Sequence, residues 1–99
     1  MLQFEGLGLC AAGEGPEFVR RNGFTLDGSL PHNTGGGQLS VGQAGAAGGY
    51  LGLVEAMRQL LGRAEGRQVQ GARHALVSGF GMINYDRGLC SAAAVLGRA

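Results

Sequence analysis

The chain contains no tryptophan, and only two prolines and two cysteines among its 99 residues; 15% of it is charged. All eight of its cationic residues are arginine, and against seven acids they leave a formal net charge of +1. So even a balance gives no footprint for nucleic acid or an anionic membrane. The one local cluster, Arg20-Arg21, reads as part of a solvated loop. Without lysine there is no P-loop, and no GxGxxG follows a strand. Cys10 and Cys90 form neither a CxxC pair nor a metal-ligand spacing, so no metal is expected and two reduced thiols in a cytoplasmic chain are. The N-terminus reaches Glu5 too soon to read as a signal peptide. No apolar run approaches the length of a membrane span.

Glycine is the residue in excess. Twenty-one of 99 positions is roughly three times ordinary usage, with no collagen period and no low-complexity repeat. The glycines interrupt ordinary apolar segments and read as positional. They also enlarge the unfolded-state entropy, which counts against the chain folding alone. Their densest stretch runs from Leu30 to Gly49 and passes directly into an amphipathic pattern. Such an arrangement brings main-chain N–H groups close to a ligand.

The pattern predicts an α/β chain. Residues 1–30 read as a helix end and a loop, with Pro16 opening a short turn through Arg20. Residues 31–49 are the glycine-rich loop, with a short strand near Gln38-Leu39-Ser40. A helix is expected over 47–61: Leu51, Val54, Arg58 and Leu61 lie on one line at helical spacing, with Tyr50, Leu53, Met57 and Leu60 beside it. Glu55, Gln59 and the Arg58 head should then face outward, and Gly62 should cap the helix. Residues 67–73 are a polar connection. Two terminal strands lie within 74–97, joined as an antiparallel hairpin across Gly81–Gly88. The small-residue run of the second suggests burial on both faces.

Three segments in order resemble the thiolase superfamily, in the branch of the lipid-transfer-protein-like thiolases. They are Phe4 to Val19 with its Gly13-Glu14-Gly15 loop, Leu30 to Ser40 running into Val54 to Gly62, and Arg67 to Arg73 with the strand after it. The resemblance covers nearly the whole chain and implies a partial thiolase-like C-terminal domain over 1–99, a central helix packed on a mixed sheet ending in an antiparallel strand pair. A thiolase subunit has two similar halves, and the nucleophilic cysteine sits in the N-terminal one. This chain resembles only the last part of the second half, so its first residues look like the tail of a longer helix and neither Cys10 nor Cys90 is the nucleophile.

The resemblance further implies two departures from standard chemistry. The Gly-His-Pro turn of ordinary thiolases is matched by Gly42-Gln43-Ala44. A glutamine donates a hydrogen bond to a thioester oxygen but is no general base near neutral pH. The Cys-x-Gly turn is matched by Ser78-Gly-Phe-Gly81, which has no thiol.

Gln43 is thus the first catalytic candidate; the alternative is a polar residue satisfying loop backbone. Tyr85, in the Tyr85-Asp86-Arg87 turn, is the second: its phenol suits proton transfer in retro-aldol chemistry, against an ordinary turn with a local ion pair. Gly35, Gly36 and Gly37 are substrate-binding candidates whose N–H groups would line a thioester or pantetheine channel. Gly79 and Gly81 join them from the matched strand turn. Asn33 either touches substrate or holds the loop through an Asx-type bond. His32 and His74 read as incidental. The start of the 47–61 helix suits a polarised oxygen.

The function implied is the C-terminal part of a thiolase-like acyl-CoA C-acyltransferase, supplying oxyanion and acyl-pocket elements for carbon–carbon bond formation or cleavage. It would be inactive alone, with a coenzyme A thioester as substrate and no bound cofactor. Alternatives are a thiolase-like retro-aldolase, a lipid-carrier-type subunit, or a non-catalytic remnant or binding module. The implied partners are acyl-CoA, a thiolase N-terminal half or companion subunit, a small OB-fold protein and a second copy of the chain, since the family is often dimeric. Strand edges left exposed by missing neighbours favour such pairing.

Overall fold

A computed structural model describes residues 1–39, 41–42 and 45–99, and the side chains of these except 45–47, 80, 82, 83, 87 and 88. The chain forms two units, Met1–His32 and Asn33–Ala99.

In the first unit, glycine and proline punctuate the chain into α1 (Leu2–Gly6) and α2 (Gly15–Arg21). No side chain caps the start of α1. At its end the Gly8 N–H donates to Glu5 O and the Leu9 N–H to Phe4 O, both at 2.9 Å, a left-handed termination that satisfies the last carbonyls. The Gly13-Glu14-Gly15 loop has a clear physical cause. The Glu5 carboxylate accepts the Gly15 N–H at 2.9 Å, and a Cβ on Gly15 would lie 2.6 Å from that oxygen. These main-chain donors, first Gly13 and then Gly15, hold the Glu5 carboxyl below its ordinary range. Glu5 thereby serves the open N-terminus of α2, where negative charge is favoured.

Pro16 lies in the first turn of α2, where its missing N–H costs nothing. Arg20 and Arg21 belong to the last turn of this helix rather than to a loop. Their position suits the negative end of the helix dipole, and Glu17 pairs with them at 2.8 and 3.3 Å across i,i+3 and i,i+4 spacings. Phe4, Phe18 and Phe24 pack together with the His32 ring: Phe4 and Phe24 stack at 5.7 Å, and His32 sets its edge against both at 5.5 and 5.8 Å.

In the second unit a 3-10 turn, Gly45–Tyr50, leads into α3 (Leu51–Leu60). Glycines at 45, 48 and 49 weaken the expected helix at its start, so a regular α-helix begins only at Leu51. Gly62 ends it with φ 69°, its N–H donating to Gln59 O and that of Arg63 to Arg58 O. Residues 38 and 39 are not in a strand; Ser40, the third residue of that expectation, lies outside the described residues.

β1 (His74–Asn84) pairs antiparallel with β2 (Arg87–Gly97), with Ala75 opposite Leu96 and Asn84 opposite Arg87. The connection is therefore a two-residue turn, Tyr85-Asp86, shorter than the expected span from Gly81 to Gly88. Among the described residues the sheet has these two strands. α3 packs on the face carrying Val77 and Ala94, where Gly52 has room for no Cβ beyond 3.3 Å from Val77 Cγ1. The other face carries Leu76, Leu89 and Val95, exposed at 42, 57 and 73%. Burial of the second strand on both faces is thus overturned: among the described residues of the second unit α3 is the one α-helix, it packs on one face, and Cys90, Ala92 and Ala94 on that face stay exposed.

The face α3 buries also differs from expectation. Ala56, Leu60 and nearby Ala64 are buried, and so is Gln59 at 6% exposure, while Tyr50, Val54, Met57 and Leu61 are open to solvent. Gln59 faces inward because four neighbouring groups satisfy its amide, as described below. The exposed apolar residues recur at i, i+4, i+7 and i+11, a continuous stripe on the opposite side of the helix.

Candidate functional site

The glycine loop begins with a tight turn. Asn33 is left-handed (φ 53°), and its carbonyl accepts the Gly36 N–H at 2.9 Å. Gly36 and Gly37 follow with φ 78° and 84°, conformations that any L side chain resists. Asn33 holds the turn through its main chain; its side chain forms no Asx bond among the described residues. The Gly35 and Gly37 N–H groups donate to nothing in the chain among those residues. Gly36 and Gly37 are exposed and Gly35 is half-buried.

Side chains from α3 and the segment after it hold this turn. Thr34 Oγ1 donates to Glu55 Oε1 at 2.8 Å. The same oxygen accepts Gln59 Nε2 at 2.9 Å. Arg67 NH1 donates to the Gly35 carbonyl at 3.1 Å. A Cβ on Gly35 would stand 3.3 Å from Glu55 Cγ, so helix and loop approach as closely as glycine allows. Farther along, Gln38 Nε2 donates to Gly48 O at 2.7 Å.

Gln59 is the hub beneath. Its Nε2 also donates to Arg67 O at 2.8 Å, and its Oε1 accepts the Val69 N–H at 2.8 Å and Gln68 Nε2 at 3.2 Å. Gln68 in turn donates to Gln59 O and accepts the Ala64 N–H. Both ends of the Gln59 amide are engaged, which is what permits a buried carboxamide. Burial opposes ionisation of Glu55, but the hydrogen bonds from Gln59 and Thr34, helped by Arg67 and Arg58, outweigh it and hold the carboxyl below its ordinary range.

Gly79 and Gly81 lie on the α3-facing side of β1, opposite Ala92 and Cys90. The Cys90 thiol donates to Gly81 O at 3.2 Å, and a Cβ on Gly81 would crowd its sulfur at the same distance. Tyr85 occupies the first position of the hairpin turn with φ 52° and is 91% exposed. It stands four residues along from Gly81, on the order of 13 Å of extended strand. The structure therefore joins the glycine loop to α3 but leaves Tyr85 at the hairpin tip. Gln43 lies outside the described residues, as does the side chain of Arg87 in the expected local ion pair.

His32 is packed against phenylalanine rings, and His74 opens β1 beside Gly97. Burial pushes the Cys10 thiol up, and the Glu5 and Glu14 carboxylates add to the effect, opposite to what a nucleophile requires. Among the described residues no three His, Cys, Asp or Glu side chains form a metal-binding group. No helix of those residues is long and apolar enough to cross a membrane.

Sequence reasoning missed Thr34, Glu55, Gln59, Arg67 and Gln68 as one constellation. A signal was present: Glu55 and Gln59 are i,i+4 neighbours on a narrow polar strip of an otherwise apolar helix, and the Arg67-Gln68-Val69 segment carries the complementary groups.

Comparison with known proteins agrees with these motifs. The family described as thiolase C-terminal domain-like matches residues 1–98. The chain is 38% identical over 82 residues to sterol carrier protein 2 of Bos taurus, covering 83% of this chain and 15% of that protein. It is 40% identical over 78 residues to the 17-hydroxy-3-oxo-4-pregnene-20-carboxyl-CoA lyase of Mycobacterium tuberculosis, covering 79% and 19%. Non-specific lipid-transfer protein-like 2 of Caenorhabditis elegans is 34% identical over 82 residues, covering 83% and 20%. The chain thus spans a fifth or less of the length of these curated relatives. No solved structure matches it significantly. With the family matched from the first helix to the last strand, the chain belongs to the thiolase C-terminal domain-like family.

Proposed function

We propose that the chain forms the glycine-lined wall of an acyl-CoA thioester site and is not an enzyme by itself. The observation that carries this reading is the Asn33–Gly37 turn, where the half-buried Gly35 N–H and the exposed Gly37 N–H, without an acceptor among the described residues, stand on a loop held from α3 and Arg67. Such donors suit a polarised thioester oxygen. Gln43 would add a side-chain donor, and Gly79 and Gly81 would leave room for the acyl or pantetheine chain. The names of the relatives, a CoA lyase and sterol-carrier and lipid-transfer proteins, fit a lipophilic acyl thioester.

The Glu55 carboxylate at this loop is occupied by Thr34 and Gln59, and the Cys10 thiol is poorly suited to nucleophilic attack. Carbon–carbon chemistry would then require a thiolase N-terminal half or companion subunit, as the short coverage of the relatives also suggests. The test is calorimetric titration of the 99-residue chain with acetyl-CoA, a long-chain acyl-CoA and free CoA. Measurable binding of the thioesters above that of free CoA, lost in Gly37→Val, is the expected result. Equal affinity for thioester and free CoA, or none for either, sinks the reading.

A second reading, a retro-aldolase using Tyr85, is favoured by the lyase among the relatives. It expects a chain co-expressed with a thiolase N-terminal half to cleave a β-hydroxyacyl-CoA, and Tyr85→Phe to lose most of that activity. Cleavage undiminished in Tyr85→Phe removes it.

A further inference from the structure

We propose that Glu55 is a positioning residue, whose single oxygen Oε1 joins the loop hydroxyl of Thr34 to the buried amide of Gln59 and so sets the conformation of the Asn33–Gly37 turn toward its ligand. The inference rests on the acyl-CoA reading above and assigns how that site is held in shape.

The turn has little to hold it from within. Among the described residues its one main-chain bond there is the Gly36 N–H to Asn33 O, and three consecutive glycines give it wide conformational freedom. The remaining restraints come from outside: Thr34 to Glu55, Arg67 to the Gly35 carbonyl, and the close approach of Gly35 to the Glu55 stem. Glu55 is itself anchored. Gln59 donates to it, and the Gln59 amide is fixed by Arg67 O, the Val69 N–H and Gln68.

Arg67 closes the circuit, since its own carbonyl accepts from Gln59 while its guanidinium holds Gly35. Loop, helix and the segment after it are therefore one cooperative hydrogen-bonded unit. A preorganised donor array is worth more to a ligand than one that must be ordered on binding.

The first variant is Thr34→Val, nearly isosteric, which removes the loop-side bond and leaves Glu55 and Gln59 paired. NMR relaxation and Gly36 amide protection read the loop; calorimetry with acetyl-CoA reads the site. Thr34→Val is expected to lower the order parameters of residues 35–37 into the flexible range, below about 0.6. It should also weaken acetyl-CoA binding about ten-fold, with the hairpin signals unchanged. Thr34→Ser should restore both.

Glu55→Gln, which keeps an acceptor oxygen, is expected to stay within about three-fold of the parent, whereas Glu55→Ala should match Thr34→Val. This second pair decides the matter if Thr34→Val does not fold. Unchanged loop relaxation in Thr34→Val and Glu55→Ala overturns the proposal, as does a loosened loop that binds acetyl-CoA as well as the parent. A parent chain that binds no thioester while its loop responds as described overturns the acyl-CoA reading and leaves the hydrogen-bonded restraint in place.

Discussion

From Asn33 to Val69 the long-range bonds are made by side chains: Thr34 to Glu55, Arg67 to Gly35, Gln59 to Arg67 and Val69. From His74 to Gly97 they are made chiefly by the main chain, in the β1–β2 ladder, with the Cys90 thiol to Gly81 O beside it. The first region depends on particular residues, since each amide or carboxylate has a named partner. The second tolerates more residues, because its ladder bonds are indifferent to side chains and one of its faces is open. Binding specificity is accordingly better built into the first region, and the hairpin serves as the platform beneath α3.

The sharpest way to break this contrast is Gln59→Leu. The Val69 N–H and the Arg67 carbonyl would lose their partner inside the unit, at a cost of about 1–3 kcal/mol. Denaturant unfolding of Gln59→Leu against Val95→Thr measures it, and equal losses would dissolve the distinction.

Acid is the next lever. The folded-state pKa of Glu55 is depressed, so its contribution is full above the ordinary glutamate value and is lost as pH falls through the lower folded value. Glu5, held by the Gly13 and Gly15 N–H groups, follows the same sign. The hairpin holds one acid, Asp86, in its turn. On acidification the Thr34 and Gly35 NMR signals are expected to shift before those of the β1–β2 ladder; a simultaneous change would mean the network does not titrate separately.

A smaller effect is expected in the turn. Tyr85 holds φ 52°, where glycine is at ease and a bulky residue is strained. Tyr85→Gly should stabilise the hairpin by about 0.5 kcal/mol after glycine's own entropy is counted, read as a raised midpoint in thermal melting. A lowered midpoint would place compensating contacts on the Tyr85 ring. Smallest of all, Val95→Thr should change stability by less than about 0.5 kcal/mol while reducing self-association in light scattering. Undiminished association would point away from the open face.

Local chemistry made much of this fold legible. Gly62 announced the end of α3, Pro16 the first turn of α2, and the runs of small and apolar residues the two strands. Each signal acts within a few residues. What escaped the sequence depends on partners distant along the chain. Gln59 looked solvent-facing because its position alone carries no hint that Arg67, Gln68 and Val69 fold back onto it. His32 joins Phe4 and Phe24, 28 and 8 positions earlier, a grouping without periodicity. The face of α3 that is buried followed from Gly52, whose missing side chain lets Val77 of β1 approach, rather than from the widest apolar stripe. Within the candidate site, the glycines of the loop were visible in advance and the groups that restrain them were not.

The two-residue turn between β1 and β2 also has a consequence in time. The pair next to the turn, Asn84 with Arg87, needs the shortest closure of the ladder, and β-hairpins close in about 1–10 μs. The Thr34–Glu55 and Arg67–Gly35 bonds must first close chain segments of 21 and 32 positions, a greater loss of entropy before any reward. By closure entropy alone the ladder is expected to form ahead of the contacts of α3, which then has two faces of one ribbon to choose between. Gly52 against Val77 decides between them: the helix settles where its smallest residue lets the backbones come closest, and Leu76, Leu89 and Val95 are left on the other side.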